Sequence, residues 1–205
     1  MILGIAPDAA IVDISHEVHK YAIRDGALLL WCALPYLPVG AHVAVVDPGV
    51  GTARRPIAIR AARGDMLIGP DNGLLPGAVE RLGGATSAWI LEAGEFRMPV
   101  VSSSFHGRDI FAPAAAHVAN GVDPARLGPE IDPASLVPTP IRGPVIESGW
   151  LLTSIVYVDT FGNVKLGATR GELEEAVGLL RPGDALRLRL GTGSETRDVP
   201  WRGGA

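Results

Sequence analysis

The run His42-Val43-Ala44-Val45-Val46-Asp47-Pro48-Gly49-Val50-Gly51-Thr52-Ala53-Arg54-Arg55-Pro56-Ile57-Ala58-Ile59-Arg60-Ala61 decides the fold class. Its apolar opening, residues 42–46, is bounded by Gly40 and by Pro48-Gly49 and reads as a core strand; residues 56–61 read as another. Between them lies a glycine- and proline-rich loop that follows directly on a strand end. In open α/β sheets ligands sit off the C-terminal ends of strands, where such loops gather. Asp47 closes an otherwise apolar strand and so faces a loop crevice. Two readings of it stay open: a chemical group in that crevice, or an aspartate that only stabilises its own turn. Arg54 and Arg55 read as solvated cations flanking the next strand. Arg54, seven residues after Asp47, is also placed to fold back across the loop and pair with it.

Outward from this run, short β-branched segments alternate with helical ones. Residues 11–14 predict a strand, and residues 24–36 a helix that is apolar nearly all round and therefore buried. Residues 66–68 and 87–91 predict further strands, and 74–82 a helix. Between Arg108 and Asn120, the residues Ile110, Phe111, Ala114, Ala115 and Val118 recur at helical spacing, with Gly121 placed to end the helix. The alternation implies a layered α/β domain over residues 1–121. Residues 122–148 are rich in proline and glycine without periodicity, which predicts a linker wrapped over a surface. Residues 149–205 read as a smaller β-rich domain, with a long strand at 150–158, a tight turn at 159–163 and an alternating strand at 185–190. A strand-like run begins almost at once, and the chain stops at Trp201-Arg202-Gly203-Gly204-Ala205 just after another, so missing segments are expected at both ends.

A length of 205 residues accommodates one good core, or one core plus a small second unit. The formal charge of −4 and the lack of basic runs with interleaved aromatics argue against nucleic acid as a partner. Cys32 is the only cysteine, which excludes a disulfide framework and a Cys-based zinc site and fits a reducing cytoplasm. It lies in the apolar run 27–37, where a buried inert thiol is expected. That run is too short to span a bilayer and ends in Pro35 and Pro38, and no signal-peptide pattern precedes the first predicted strand, so no membrane partner is expected.

Glycine and proline cluster after strands at residues 47–52, 69–73 and 159–163. Gly49-Val50-Gly51 lacks the third glycine of a dinucleotide fingerprint, and no lysine follows in Walker spacing. No G-x-S-x-G elbow supports a serine hydrolase. His106 sits in Ser102-Ser103-Ser104-Phe105-His106-Gly107 at a predicted helix start, where the helix dipole depresses an imidazole pKa. A lone histidine is usually structural or exposed, but the serine-rich approach, the following glycine and the helix start set this one above the other four. His16 and His19 are spaced like a metal pair, yet no HExxH pattern or third ligand is near, so no metal is expected.

In order, the segments Ala6-Pro7-Asp8 with Ile11-Val12-Asp13-Ile14-Ser15-His16, Val46-Asp47-Pro48-Gly49-Val50-Gly51-Thr52 with Arg54-Arg55, Gly69-Pro70-Asp71-Asn72-Gly73, Phe105-His106-Gly107-Arg108-Asp109 and residues 159–163 resemble a known family. It is that of the S-adenosyl-L-methionine (SAM) hydrolases, or SAM hydroxide adenosyltransferases, relatives of the adenosyl fluorinase and chlorinase. Each segment alone is weak, whereas the ordered set is highly specific and spans about three quarters of the chain.

The resemblance implies an α/β N-terminal domain and a smaller β-barrel-like C-terminal domain, incomplete here, assembled as a homotrimer with active sites between subunits. It implies that water, acting as hydroxide, displaces methionine from ribose C5′ to give adenosine and L-methionine, with SAM as substrate and no cofactor. The family's Asp–Arg–His triad carries onto Asp47, Arg54 and His106. The chemistry needs an oriented, polarised water stripped of competing solvent, since a sulfonium already leaves well. Which member takes the proton stays open. Asp159, Phe161 and Asn163 match nucleoside- and amino-acid-contacting positions, with Phe161 suited to lie against adenine or ribose. Gly107 lets the backbone approach substrate closely, and Tyr21 aligns with a lining position, though it reads equally as packing. The family's opening Thr-Asp-Phe-Gly-type loop lies outside the sequence, and Lys165-Leu166-Gly167 departs from the commoner Asn-containing continuation. A carboxylate at Asp47 beside His106-Gly107 favours water over halide as nucleophile. The alternative expectation is a non-catalytic trimeric scaffold or inactive fragment of the same family, and, below it, a halide adenosyltransferase.

Overall fold

The computed structural model describes residues 1–147, 149–191 and 196–202. Ser148, at the end of the predicted linker, and the terminal Gly203-Gly204-Ala205 lie outside the described residues. The chain divides into two compact units, Met1–Pro140 and Ile141–Ala205.

The first unit carries, in order, helices α1 (Ile2–Ile5) and α2 (Ile23–Ala33), strands β1 (Ala41–Val43), β2 (Pro56–Ala61) and β3 (Met66–Pro70), helix α3 (Pro76–Arg81), strand β4 (Ala85–Ile90), a π turn (Gly107–Phe111) that runs into α4 (Ala112–Ala119), and the short β5 (Glu130–Ile131). The strands form one five-stranded sheet in the order β1-β3-β2-β4-β5. β1 and β3 are parallel and the remaining pairs antiparallel. Alternation along β2 sends Ile57 and Ile59 to one face and Ala58 to the other. The first face packs with Leu67 against Ala27, Leu30 and Leu34 of the α2 region and Ala78 and Val79 of α3. The second packs with Ile68 and Trp89 against Ile110, Phe111, Ala114 and Ala115. Helices therefore cover both faces, and β3 reads as an unbroken apolar run buried throughout, while β2 is apolar except at the exposed Arg60.

The structure corrects the sequence in several places. Residues 11–14 form no strand: Ile11, Val12 and Ile14 are exposed, and residues 12–14 and β1 line a common groove of about 330 Å³. β-branched residues favour extended backbone, but a strand also needs a partner within hydrogen-bonding reach. The core strand expected at 42–46 is the shorter β1 at the sheet edge, with Val43 and Val45 exposed. The helix at 24–36 is α2 followed by a 3-10 turn from Leu34 to Tyr36, and only one face is buried, leaving Trp31 and Tyr36 exposed and Cys32 half-buried. Residues 122–140, read as part of a linker, pack on the first unit: β5 pairs with β4, and Leu127 is buried. The irregular composition there comes from two single turns, each opened by an Asp-Pro pair whose carboxylate accepts the amide two residues on.

The second unit contains β6 (Val145–Glu147), β7 (Trp150–Leu152), β8 (Ile155–Val158), β9 (Val164–Leu166), α5 (Arg170–Val177), β10 (Ala185–Arg189) and β11 (Thr196–Pro200). These strands pair as three two-stranded antiparallel sheets. The long strand expected at 150–158 is broken at Thr153-Ser154, because β7 and β8 belong to different sheets. Helix α5, absent from the sequence reading, is opened by a capping box in which Thr169 and Glu172 satisfy each other's backbone amides. Among the described residues no helix is long and apolar enough to cross a membrane.

Candidate active site

Just beyond β1 the Ala44 amide donates to the Ile68 carbonyl at 3.1 Å. The chain then turns: the Thr52 amide and hydroxyl both donate to the Gly49 carbonyl, at 3.1 and 2.7 Å. Gly51 takes φ +78°, and a Cβ there would lie 2.7 Å from the Ser103 carbonyl oxygen. Only glycine allows this turn to lie so close against the segment that carries His106.

The close packing brings three predicted residues together. Arg54 folds back as the spacing allowed, its Nε donating to Asp47 Oδ1 at 3.2 Å and its Nη2 to Oδ2. The same Nη2 also reaches His106 Nδ1 at 3.1 Å. The Arg54 and Asp47 side chains are only 7% and 4% exposed, so the pair is desolvated and bidentate. Nη1 is buried with no partner among the described residues, and the guanidinium carbon lies 5.3 Å from the Phe111 ring centre, which offsets part of its lost hydration.

An arginine only donates. His106 Nδ1 must therefore present its lone pair, so the ring is neutral and carries its proton on Nε2. Burial first, and then the Arg54 charge, push His106 below the ordinary imidazole range, against an opposing pull from Asp47. The sequence credits the helix start for this shift; the larger causes are burial and Arg54.

Two residues that the sequence did not single out shape the approach to His106. The Ser102 hydroxyl accepts the amides of Ser104 and Phe105, at 3.1 and 3.2 Å. Asp109, 1% exposed, accepts the Ser102 amide at 2.9 Å and Arg108 Nε at 2.6 Å. The bond from Arg108, and after it the Ser102 amide, hold the Asp109 carboxyl below the usual carboxylate range. An aspartate inside the otherwise apolar period of that helix was the available signal. The π turn widens the helix where it leaves His106, a device common at functional sites.

The other expected residues are distributed as follows. Gly107 adjoins His106, and a Cβ there would meet only Val45, at an ordinary 3.7 Å, so protein packing does not require a glycine. Tyr21 is 72% exposed just before α2 and is the only non-glycine residue with positive φ among the described residues, at 69°; a bulky side chain rarely adopts that backbone. Asp159, Phe161 and Asn163 lie in the second unit on one loop. Asp159 Oδ1 accepts the amides of Phe161 and Asn163, Oδ2 accepts the Asn163 side-chain amide, and Phe161 is 90% exposed. His16 Nε2 donates to Asp13 Oδ1 at 3.1 Å on the surface, and the described residues contain no cluster of three metal-ligating side chains. Arg55, read as a solvated cation, instead binds the buried Asp71 at 2.7 Å and the Ser135 carbonyl at 2.6 Å.

Known proteins resemble this chain over most of its length. A family described as "SAM hydroxide adenosyltransferase N-terminal domain" covers residues 1–128. A Salinispora arenicola protein named "(R)-S-adenosyl-L-methionine hydrolase" is 46% identical over 88% of this chain and 69% of its own length. At greater distance, an Actinopolyspora mzabensis protein named "Fluorinase" is 25% identical over 86% of this chain and 67% of its own. The chain thus spans about two thirds of these relatives. A crystal structure described as an uncharacterized conserved protein from Thermotoga maritima superimposes with a TM-score of 0.87 at 31% identity, covering 99% of this chain and 75% of that one.

Proposed function

The chain belongs to the SAM hydroxide adenosyltransferase family, and on that premise we propose that it hydrolyses SAM to adenosine and L-methionine through Asp47, Arg54 and His106. The observation that carries this reading is the buried hydrogen-bonded chain from Asp47 through Arg54 to His106. A water oxygen attacks ribose C5′, the C5′–S bond breaks, and its electron pair goes to sulfur, turning the sulfonium into the neutral thioether of methionine. The water's proton must leave as the new C–O bond forms. In the neutral tautomer His106 offers only an Nε2–H, so it orients oxygen as a donor. The Asp47 carboxylate retains lone pairs beyond those bound by Arg54 and takes the proton. Arg54 fixes both groups in one plane and balances the carboxylate, and the exclusion of bulk water strengthens each of these interactions.

Gly107 and Tyr21 line the substrate in this reading, while Asp159, Phe161 and Asn163 receive the nucleoside and amino-acid portions; the projecting, locally braced Phe161 supports an aromatic platform. The assembly is a cytoplasmic homotrimer with active sites between subunits and no cofactor, as the family resemblance suggests; light scattering in solution checks the trimer. Incubation with SAM in chloride-containing buffer, followed by chromatography, tests the reaction. Adenosine and methionine in equal amounts are expected. A chlorinated nucleoside formed faster than adenosine would make the chain a halide adenosyltransferase, and no product at all would leave a non-catalytic scaffold.

A further inference from the structure

Asp47 hangs from a peptide that the sheet does not hold. β1 ends at Val43, and the last sheet-type bond of the run is made by the Ala44 amide. Beyond it, the Val46 carbonyl accepts Asn72 Nδ2 at 2.8 Å. The Asn72 amide cannot be turned over, because its Oδ1 accepts the Leu74 amide at 3.2 Å.

Asn72 is itself gripped. A Cβ on Gly69 would overlap the Ala44 carbonyl, so the 69–73 loop lies directly against the strand leading to Asp47. The Asp71 amide donates to the Arg55 carbonyl at 2.9 Å, and the Asp71 carboxylate accepts Arg55 Nε at 2.7 Å and the Val137 amide at 2.9 Å. The two consecutive arginines therefore divide one task. Arg54 holds the Asp47 carboxylate, and Arg55 anchors the loop that holds the Asp47 backbone.

We propose that Asn72 is a positioning residue that sets Asp47 against Arg54 and His106, with the Arg55–Asp71 pair fixing Asn72 in turn. This rests on the reading of Asp47 as the group that accepts the water's proton. Displacing a reacting group by about 1 Å costs on the order of a hundredfold in rate. Losing the only side-chain bond made to the Val46 peptide among the described residues frees the 46–47 peptide to rotate by at least that much.

Two variants test it. Asn72→Ala removes both bonds. Asn72→Asp keeps the acceptor for Leu74 and turns a lone pair, instead of a donor, on the Val46 carbonyl, so it remains informative if the alanine variant does not fold. Each is measured for SAM turnover, for thermal unfolding, and for the side-chain nitrogen resonances of His106. The expected result is a kcat lowered about tenfold or more, KM changed by less than about twofold, and a displaced His106 Nδ1 resonance, because Arg54 follows Asp47. A kcat and a His106 resonance both matching the unsubstituted protein, with only the unfolding temperature lowered, would make Asn72 a structural residue and overturn the proposal. If the unsubstituted protein does not turn over SAM, the proposed function fails, yet the His106 resonance still decides whether Asn72 positions this chain of groups.

Discussion

Two loops that follow a strand in this chain carry an aspartate, and they use it in opposite ways. In the first unit, both oxygens of Asp47 are bound by Arg54, which reaches on to a histidine 52 residues further along. In the second unit, every bond made by the Asp159 carboxylate among the described residues stays within its own loop, to Phe161 and Asn163, and the loop tip stands in solvent. The first aspartate terminates a buried chain of charges assembled by tertiary packing. The second is a local turn-former that presents a ring. Chemistry that needs fixed geometry and little water suits the first arrangement, and contact with a ligand suits the second.

The largest difference is expected from Arg54→Ala. It leaves a buried carboxylate without a cation and His106 without its donor, and SAM turnover should fall by about 10²–10⁴-fold. Unfolding measured alongside should show a loss of about 3–5 kcal/mol, the usual cost of breaking a buried pair. Arg54→Lys should recover little, since one ammonium cannot bind both carboxylate oxygens and Nδ1 in one plane. In contrast, Asp159→Asn should raise KM and leave kcat within about threefold. An effect confined to kcat would erase the distinction between the two loops.

How far these roles were legible depended on whether the determinant was local. Asp47 stood out because it ended an apolar run, and Arg54 because seven residues are enough for a return across a turn. His106 stood out through its serines, its glycine and the helix start. The grip of Asn72 on Val46 and of Arg55 on Asp71 was not legible, since neighbours that meet only after the sheet forms leave no spacing to read. The same holds for residues 11–14, whose composition is that of a strand but which have no pairing partner among the described residues. Helix α5 does leave a local trace: Thr169 and Glu172 stand three apart in the pattern of a capping box.

Arg55 and Asp65 sharpen the comparison within the first unit, where carboxylates are held by distant partners. Arg55→Ala strips a charged bond from the buried Asp71, and a stability loss of about 2 kcal/mol is expected in denaturant unfolding. Asp65 is fully buried. Burial alone would raise its carboxyl, but bonds from Arg63, at 2.7 and 2.9 Å, and from His42, at 2.8 Å, overcome this and hold it at about 2. The folded value lies below the unfolded one near 3.8, so the stabilisation of about 2 kcal/mol is complete above roughly pH 4 and is lost as pH falls toward about 2. Acid titration followed by circular dichroism should show this loss, and Asp65→Asn should flatten it.

The pH dependence of turnover follows from the other shifted group. His106 lies below the usual imidazole value of 6.5. Protonation would place a hydrogen on Nδ1 and expel Arg54, so the acid limb of kcat should have its midpoint below 6.5. A midpoint above that value would mean that His106 is not held by Arg54 during turnover. The smallest expected effect is that of Gly107→Ala. It should stabilise the helix start by about 0.5 kcal/mol, as removing a helical glycine usually does, and the protein accommodates the added methyl, which meets only Val45 at an ordinary 3.7 Å; a rise in KM for SAM is the outcome expected from the proposed role of Gly107 against substrate.

The most direct test uses isotopically labelled water with the unsubstituted protein and Asp47→Asn, reading the position of the heavy oxygen by mass spectrometry. The expected result is label in the adenosine 5′-hydroxyl at a rate that collapses with Asp47→Asn. Label in the methionine fragment, or equal rates for the two proteins, would contradict attack at C5′ by a water that Asp47 deprotonates.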